Sequence, residues 1–240
     1  MSAWQYDSAR DLDVTPLERL RIFPREPDML VYGARLISAL LMRLWLRTYH
    51  RLSITGQGKL PKSESFVMVA NHSSHLDALC LLAALQLRRV HHAFPAAAQD
   101  YFFVRSSRLI AAVVAVNALP FDRQARACES LNLCRQLLAA PGNVLIFFPE
   151  GTRSAAGEIA EFKSGVGLLL AGTRYPVVPC YLAGAYESWS RHRWFPRPGQ
   201  IRLTIGEPRT YSDREGGIDS ARHICAELRN EVLALAGDSQ

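Results

Sequence analysis

A polar heptad, Asn71-His72-Ser73-Ser74-His75-Leu76-Asp77, separates two apolar runs, and that break limits the fold more than any other feature of the chain. Upstream, Phe66-Val67-Met68-Val69-Ala70 is short and partly β-branched, as a buried strand is; downstream, Ala78 to Leu85 holds good helix formers with neither Gly nor Pro. The heptad therefore falls on a strand-to-helix turn. In open α/β sheets ligands gather beyond the carboxyl ends of the strands, where such turns lie. A histidine there titrates near neutrality, so it can take a proton from a hydroxyl and return it. Asp77 follows five positions later. On an ideal helix that separation turns through about 140°, so His72 must precede the first full turn if Asp77 is to reach its ring. The expected arrangement places His72 in the turn, Ser73 or Ser74 as N-cap and Asp77 in the first helical turns, orienting the imidazole. His75 has no assigned partner. Taken alone, the heptad fits equally well an ordinary serine cap followed by an acid that the helix dipole favours.

A second stretch breaks that tie. Phe148-Pro149-Glu150-Gly151-Thr152-Arg153-Ser154 follows another strand-like run, Asn143 to Phe147, and gathers an acid, a flexible glycine and a guanidinium at the strand's end. Together with the His-x4-Asp spacing it resembles the glycerolipid acyltransferase family, the relatives of bacterial 1-acylglycerol-3-phosphate acyltransferase. The resemblance spans roughly residues 50 to 210, and two motifs in the right order are more specific than either alone.

The resemblance implies an α/β fold with a mixed sheet flanked by helices. It implies transfer of a fatty acyl group from acyl-CoA or acyl-carrier protein to the free hydroxyl of a lysophospholipid, foremost 1-acylglycerol-3-phosphate, giving phosphatidic acid. His72 is then the general base and Asp77 its orienting acid. Glu150, Gly151, Thr152, Arg153 and Lys163 fall to acceptor binding, and no cofactor is needed beyond the thioester co-substrate. Asn117 to Arg123 matches the family's second motif, except that its usual glycine is absent, with Ala118 nearest; Arg123 is retained. Arg123 and Arg153 become ligands of the acceptor's phosphate, which planar guanidinium forks fit bidentately. A surface salt bridge is the commoner fate of an arginine, and only motif position lifts these two above it. Pro176 to Tyr181 matches a fourth, apolar motif whose Pro179 suits an edge strand or strand end. Backbone N–H groups at the start of the helix after His72 are candidate oxyanion donors by location.

Three rivals differ in what they need. A hydrolase would use Ser73, Ser74 or Cys80 as nucleophile, but the chain has no G-x-S-x-G elbow. A non-catalytic lipid binder would keep the arginines and need no His-x4-Asp pair. A nucleic-acid binder would account for the formal charge of +6 and nothing else, since no recognition motif or block of basic residues accompanies it. That charge is nearly all arginine, Lys59, Lys62 and Lys163 being the only lysines, and it suits an anionic membrane surface. Metal binding is not expected: His91-His92 and the His72, His75, Asp77 group lack a further ligand at a recognisable spacing. The five cysteines are scattered through apolar runs and read as reduced core residues.

Residues 1–27 are Pro-punctuated, lack the pattern of a signal peptide and are expected to be loosely ordered. Across 28–51, Leu30, Ala34, Ile37, Leu41, Leu44 and Trp45 recur at helical spacing, with Arg43, Arg47 and Arg51 on another face. Arg35 and Arg43 interrupt any spanning window, so the segment is expected to lie in the membrane interface, with a helix packed on the domain as the alternative. The resemblance makes the remaining 52–240 one acyltransferase domain and implies a peripheral or monotopic enzyme at the membrane's cytoplasmic face. Within it, His91 to Phe94 reads as a strand, Phe102 to Val116 as a buried helix or acyl-chain wall, Glu129 to Leu138 as a helix, Ile201 to Ile205 as a strand and Ser220 to Leu235 as a closing helix.

Overall fold

The computed structural model describes residues 29–98, 119–121, 127–154 and 157–237. Among them, seven strands form one sheet: β1 (Ser53–Thr55), β2 (Phe66–Ala70), β3 (Ala93–Ala98), β4 (Leu119–Phe121), β5 (Val144–Phe147), β6 (Val177–Ala183) and β7 (Arg202–Ile205). Their spatial order is β1-β7-β6-β2-β5-β3-β4, and every neighbouring pair is parallel except the antiparallel β6–β7. The sheet is mixed, as expected. The helices are α1 (Met29–Thr48), α2 (Asp77–Ala84), α3 (Ala127–Ala139), α4 (Gly165–Leu170), α5 (Ala185–Trp189) and α6 (Ile218–Gly237). Arg123 and the segment Phe102 to Val116 lie outside the described residues, as do 1–28.

β2 shows why its sequence is apolar without interruption: all five residues are fully buried, because helices cover both faces. Phe66, Met68 and Ala70 enter one core with Cys80, Leu81 and Leu82 of α2 and Leu46 of α1. Val67 and Val69 enter the other with Leu131, Cys134 and Leu138 of α3, Leu169 of α4, and Ile224 and Leu228 of α6. The chain leaves β2 toward β3 on one side and leaves β5 toward β6 on the other. The two connections pass over each other's strand on opposite faces of the sheet, with α2 on the first core and α4 on the second. Adjacent carboxyl ends whose chains leave to opposite faces have a crevice between them.

Close approach of α4 and α6 rests on Gly167, where an added Cβ would stand 2.1 Å from the carbonyl oxygen of Ala221. Gly167→Ala should therefore force the helices apart and cost about 1–3 kcal/mol. Urea unfolding should show the loss as a lower midpoint at unchanged slope.

Three local expectations are corrected. His91 and His92 belong to a 3-10 turn, Leu87–His92, and the strand starts at Ala93. Tertiary contacts impose that turn: the guanidinium of Arg89 donates to the carbonyls of Pro61, Glu64 and Gly142, and the His91 ring stacks on Tyr32 of α1. Pro179 lies within β6, an interior strand. Its missing N–H falls where the partner chain bulges: Gly206 N–H donates to Pro179 O, while Val177 already pairs with Arg209, leaving Glu207-Pro208 opposite Val178.

The third correction concerns which way Trp45 and Arg43 of α1 face. Ala39 and Leu46 are buried, Met42 and Trp45 pack on the first core, Arg35 is buried, and Arg43 donates to the Leu85 carbonyl. Burial pushes the Arg35 guanidinium down to about 10. Trp45 and Arg43 thus face the protein. The opposite side keeps Ile37, Leu40, Leu41 and Leu44 about half or more exposed. No helix among the described residues is long and apolar enough to cross a membrane.

Candidate active site

Beyond β2 the chain is tied to its neighbours before it turns. The buried side chain of Asn71 bonds Leu182 of β6 in both directions, donating from Nδ2 to its carbonyl at 3.0 Å and accepting its N–H at 2.8 Å. This continues the β2–β6 ladder by one residue. His72 then leaves the sheet: its N–H donates to Glu150 Oε1 at 2.7 Å, and its carbonyl accepts Ser154 N–H at 2.8 Å. The two sequence motifs are stitched together at that residue.

Asp77, fully buried, opens α2 and folds back over the turn. Its Oδ2 accepts from His72 Nδ1 at 2.8 Å, Ser73 N–H at 2.7 Å and Ser74 N–H at 2.8 Å. A carboxylate accepts there, so Nδ1 carries the proton and Nε2 is the basic nitrogen. The ring stacks on Phe148 with centroids 4.2 Å apart, while 19% of the side chain reaches solvent. Among the described residues Nε2 has no hydrogen-bond partner. The expected His72–Asp77 pair is present. Neither serine caps α2, however, because Leu76 precedes its first residue and Asp77 supplies the acceptor for the turn's own amides.

The backbone donors of the turn itself, residues 72–76 ahead of α2, are all engaged. The N–H groups of His72, Ser73 and Ser74 go to carboxylates, that of His75 to Trp189 O, and that of Leu76 to Ser74 Oγ. Glu150 is buried, and its second oxygen accepts Ala160 N–H at 3.2 Å. Burial pushes its carboxyl up, against the pull of its two amide donors. Both oxygens shape the loop around His72.

Gly151 adopts φ +79°, where an added Cβ would meet Lys163 Nζ at 2.9 Å. The missing side chain lets the Lys163 ammonium lie over the loop, and Lys163 N–H donates to Pro149 O at 2.9 Å. Thr152 is exposed. Arg153 Nη1 stands 2.7 Å and 2.6 Å from the two ring nitrogens of His75, which therefore does have a partner. His75 also lies against Trp189, centroids 5.0 Å apart.

Burial, reinforced by the Arg153 charge, pushes His75 from 6.5 down to about 4. The unfolded chain then binds more protons between those values, so the stability of the folded chain rises with pH across that window and is lost as pH falls from about 6.5 to about 4. His75→Gln keeps an acceptor without titrating. Its melting temperature should fall less than that of the parent between neutral pH and pH about 4.5, as scanning calorimetry would read.

The roles of Asn71 and Phe148, and the involvement of Trp189, were not foreseen from the sequence. Asn71 sits beside the motif, but its partner is 111 residues away and no local pattern announces it. Among the described residues no group of three or more His, Cys, Asp or Glu could hold a metal ion.

A buried carboxylate holding Nδ1 of an imidazole whose Nε2 is open, at the carboxyl edge of a mixed sheet, is the geometry that general-base chemistry requires. The chain belongs to the acyltransferase family, whose model, described as Acyltransferase, matches residues 51–183. It is 26% identical over 188 residues to mouse 1-acyl-sn-glycerol-3-phosphate acyltransferase alpha, covering 76% of this chain and 65% of that protein. It is 28% identical over 206 residues to the chloroplastic 1-acyl-sn-glycerol-3-phosphate acyltransferase BAT2 of Brassica napus, covering 80% of this chain and 56% of that one. The chain thus spans less than two thirds of the length of these relatives. Its fold is that of the crystal structure of PlsC, the 1-acyl-sn-glycerophosphate (LPA) acyltransferase from Thermotoga maritima, with TM-score 0.62, 23% identity and coverage of 86% and 80% of the two chains.

Proposed function

We propose that the chain transfers a fatty acyl group from a thioester, acyl-CoA or acyl-carrier protein, to the free hydroxyl of 1-acylglycerol-3-phosphate, giving phosphatidic acid. The observation that carries this reading is the dyad: Asp77 fixes Nδ1–H of His72 and leaves Nε2 open. Nε2 takes the hydroxyl proton as the oxygen attacks the thioester carbonyl. Collapse of the tetrahedral intermediate breaks the carbon–sulfur bond, and the imidazolium returns the proton to the departing thiolate. Buried Asp77 stabilises the imidazolium in between. No cofactor enters this sequence.

Arg153 and Lys163 flank the same loop and supply cations for the acceptor's phosphate, with Arg123 assigned to the same task by its motif. Glu150 acts as a positioning residue through the His72 backbone. The exposed side of α1 lays Ile37, Leu40, Leu41 and Leu44 toward the acyl boundary of a membrane, at its cytoplasmic face.

Incubation of the purified chain with acyl-CoA or acyl-carrier protein and a panel of lysolipids, read by mass spectrometry, tests the proposal. Phosphatidic acid should form from lysophosphatidate with at least one donor. Thioester consumption that yields free fatty acid and no acylated lipid would show a hydrolase instead.

A further inference from the structure

Between α5 and β7 the chain runs Ser190-Arg191-His192-Arg193-Trp194-Phe195-Pro196-Arg197-Pro198-Gly199-Gln200. Trp194 is 90% exposed and Phe195 79%, above every other large apolar side chain described. Single surface leucines are ordinary, whereas a neighbouring Trp-Phe pair standing clear of the protein is not. The backbone holds that exposure in place. Arg193 N–H donates to Ser190 O at 3.1 Å, Arg197 N–H to Ser188 O at 2.9 Å, and Trp189 Nε1 to Arg193 O at 3.1 Å. Tyr49, just past α1, donates its hydroxyl to Pro196 O at 3.3 Å. Around the aromatics, Arg191, His192 and Arg197 are exposed, and no acidic residue occurs from Ser188 to Gly206.

We infer that this loop docks the protein on an anionic lipid bilayer. At the tip an indole and a phenyl ring protrude among cations, and the stretch itself carries no acid to pair them. A bilayer interface takes Trp and Phe at headgroup depth and supplies phosphates to the guanidinium forks. The loop's position serves the site, because Trp189 O accepts Ser74 Oγ at 2.7 Å and His75 N–H at 3.2 Å, and Ser190 bridges Ser74. Seating the tip in headgroups brings the His72 turn down to the depth where a lysolipid hydroxyl lies. This deepens the membrane contact proposed for α1 and rests on it only for orientation; two contacts, joined through Tyr49, fix the tilt that one helix leaves free.

Co-sedimentation of the full chain with phosphatidylcholine vesicles, with and without phosphatidylglycerol, tests the loop. Trp194→Ala with Phe195→Ala should weaken binding to the anionic vesicles by about tenfold or more while leaving the melt unchanged, since both rings are exposed. Arg191→Gln with Arg197→Gln should remove about fivefold per charge, and only on the anionic vesicles. Brominated lipid should quench the parent's tryptophan emission, and Trp194→Phe should lose most of that quenching. Parent-like sedimentation of the double aromatic variant would overturn the inference. So would concentration-dependent self-association of the parent that the same variant abolishes, which would make the occupant a second copy. The measurement repeated on His72→Ala should give parental binding, so failure of the acyl-transfer assignment leaves the docking result standing.

Discussion

His72→Ala should abolish acyl transfer, lowering kcat/KM by about 10²- to 10⁴-fold with either donor, the range that positioned proton transfer typically contributes. The loss follows from geometry: Nε2 is the one basic nitrogen that Asp77 leaves open, and no second imidazole replaces it. His75, the nearest candidate, is held neutral against Arg153. The fold should survive, because the ring contributes one hydrogen bond and a stack on Phe148 and lies partly in solvent. Circular dichroism of the variant beside its transfer rate separates the two effects. Ser73→Ala should retain most of the rate, its backbone rather than its hydroxyl being what Asp77 holds. An acyl-enzyme trapped on Ser73, Ser74 or Cys80 would sink direct transfer.

Asp77→Ala should do more, because it removes catalysis and stability together. Three donors converge on Oδ2, and deleting the carboxylate strands two buried amides and the imidazole N–H. Leaving buried donors unsatisfied costs about 1–3 kcal/mol each, so the turn should rearrange and the melting temperature drop by many degrees. Asp77→Asn separates the two roles: an amide oxygen can still accept in the place of Oδ2 while the negative charge is gone. It should melt close to the parent yet lose on the order of 10²- to 10⁴-fold in kcat, since the imidazolium loses its counter-charge. An Asn variant with parental kcat would reduce Asp77 to a structural clamp.

The sequence reading reached what is encoded locally. The apolar run Phe66 to Ala70 became β2 at those bounds, and the His72–Asp77 bond formed because five residues of turn suffice to bring ring and carboxylate together. What it misread depends on distant partners. His91 and His92 looked extended until Arg89 found three carbonyls, and Pro179 looked like an edge until the chain at Gly206 to Pro208 bulged to accept it. His75 seemed idle because Arg153 reaches it from 78 residues away. Trp194 and Phe195 went unread, although an aromatic pair set among arginines and prolines carries its own signal.

The Asn71–Leu182 clamp also bears on how the molecule comes into being. The dyad residues leave the ribosome within a few amino acids of each other, but the residue that pins their turn to the sheet follows 111 positions later. At about 5–20 residues per second, that interval lasts roughly 5–20 s. During it the nascent chain holds its base and its acid without the frame that aligns them. Contacts of such long range form late and slowly, so hydrogen exchange at the Leu182 amide, which donates to Asn71 Oδ1, should report the closing step of assembly, when β6 slots beside β2.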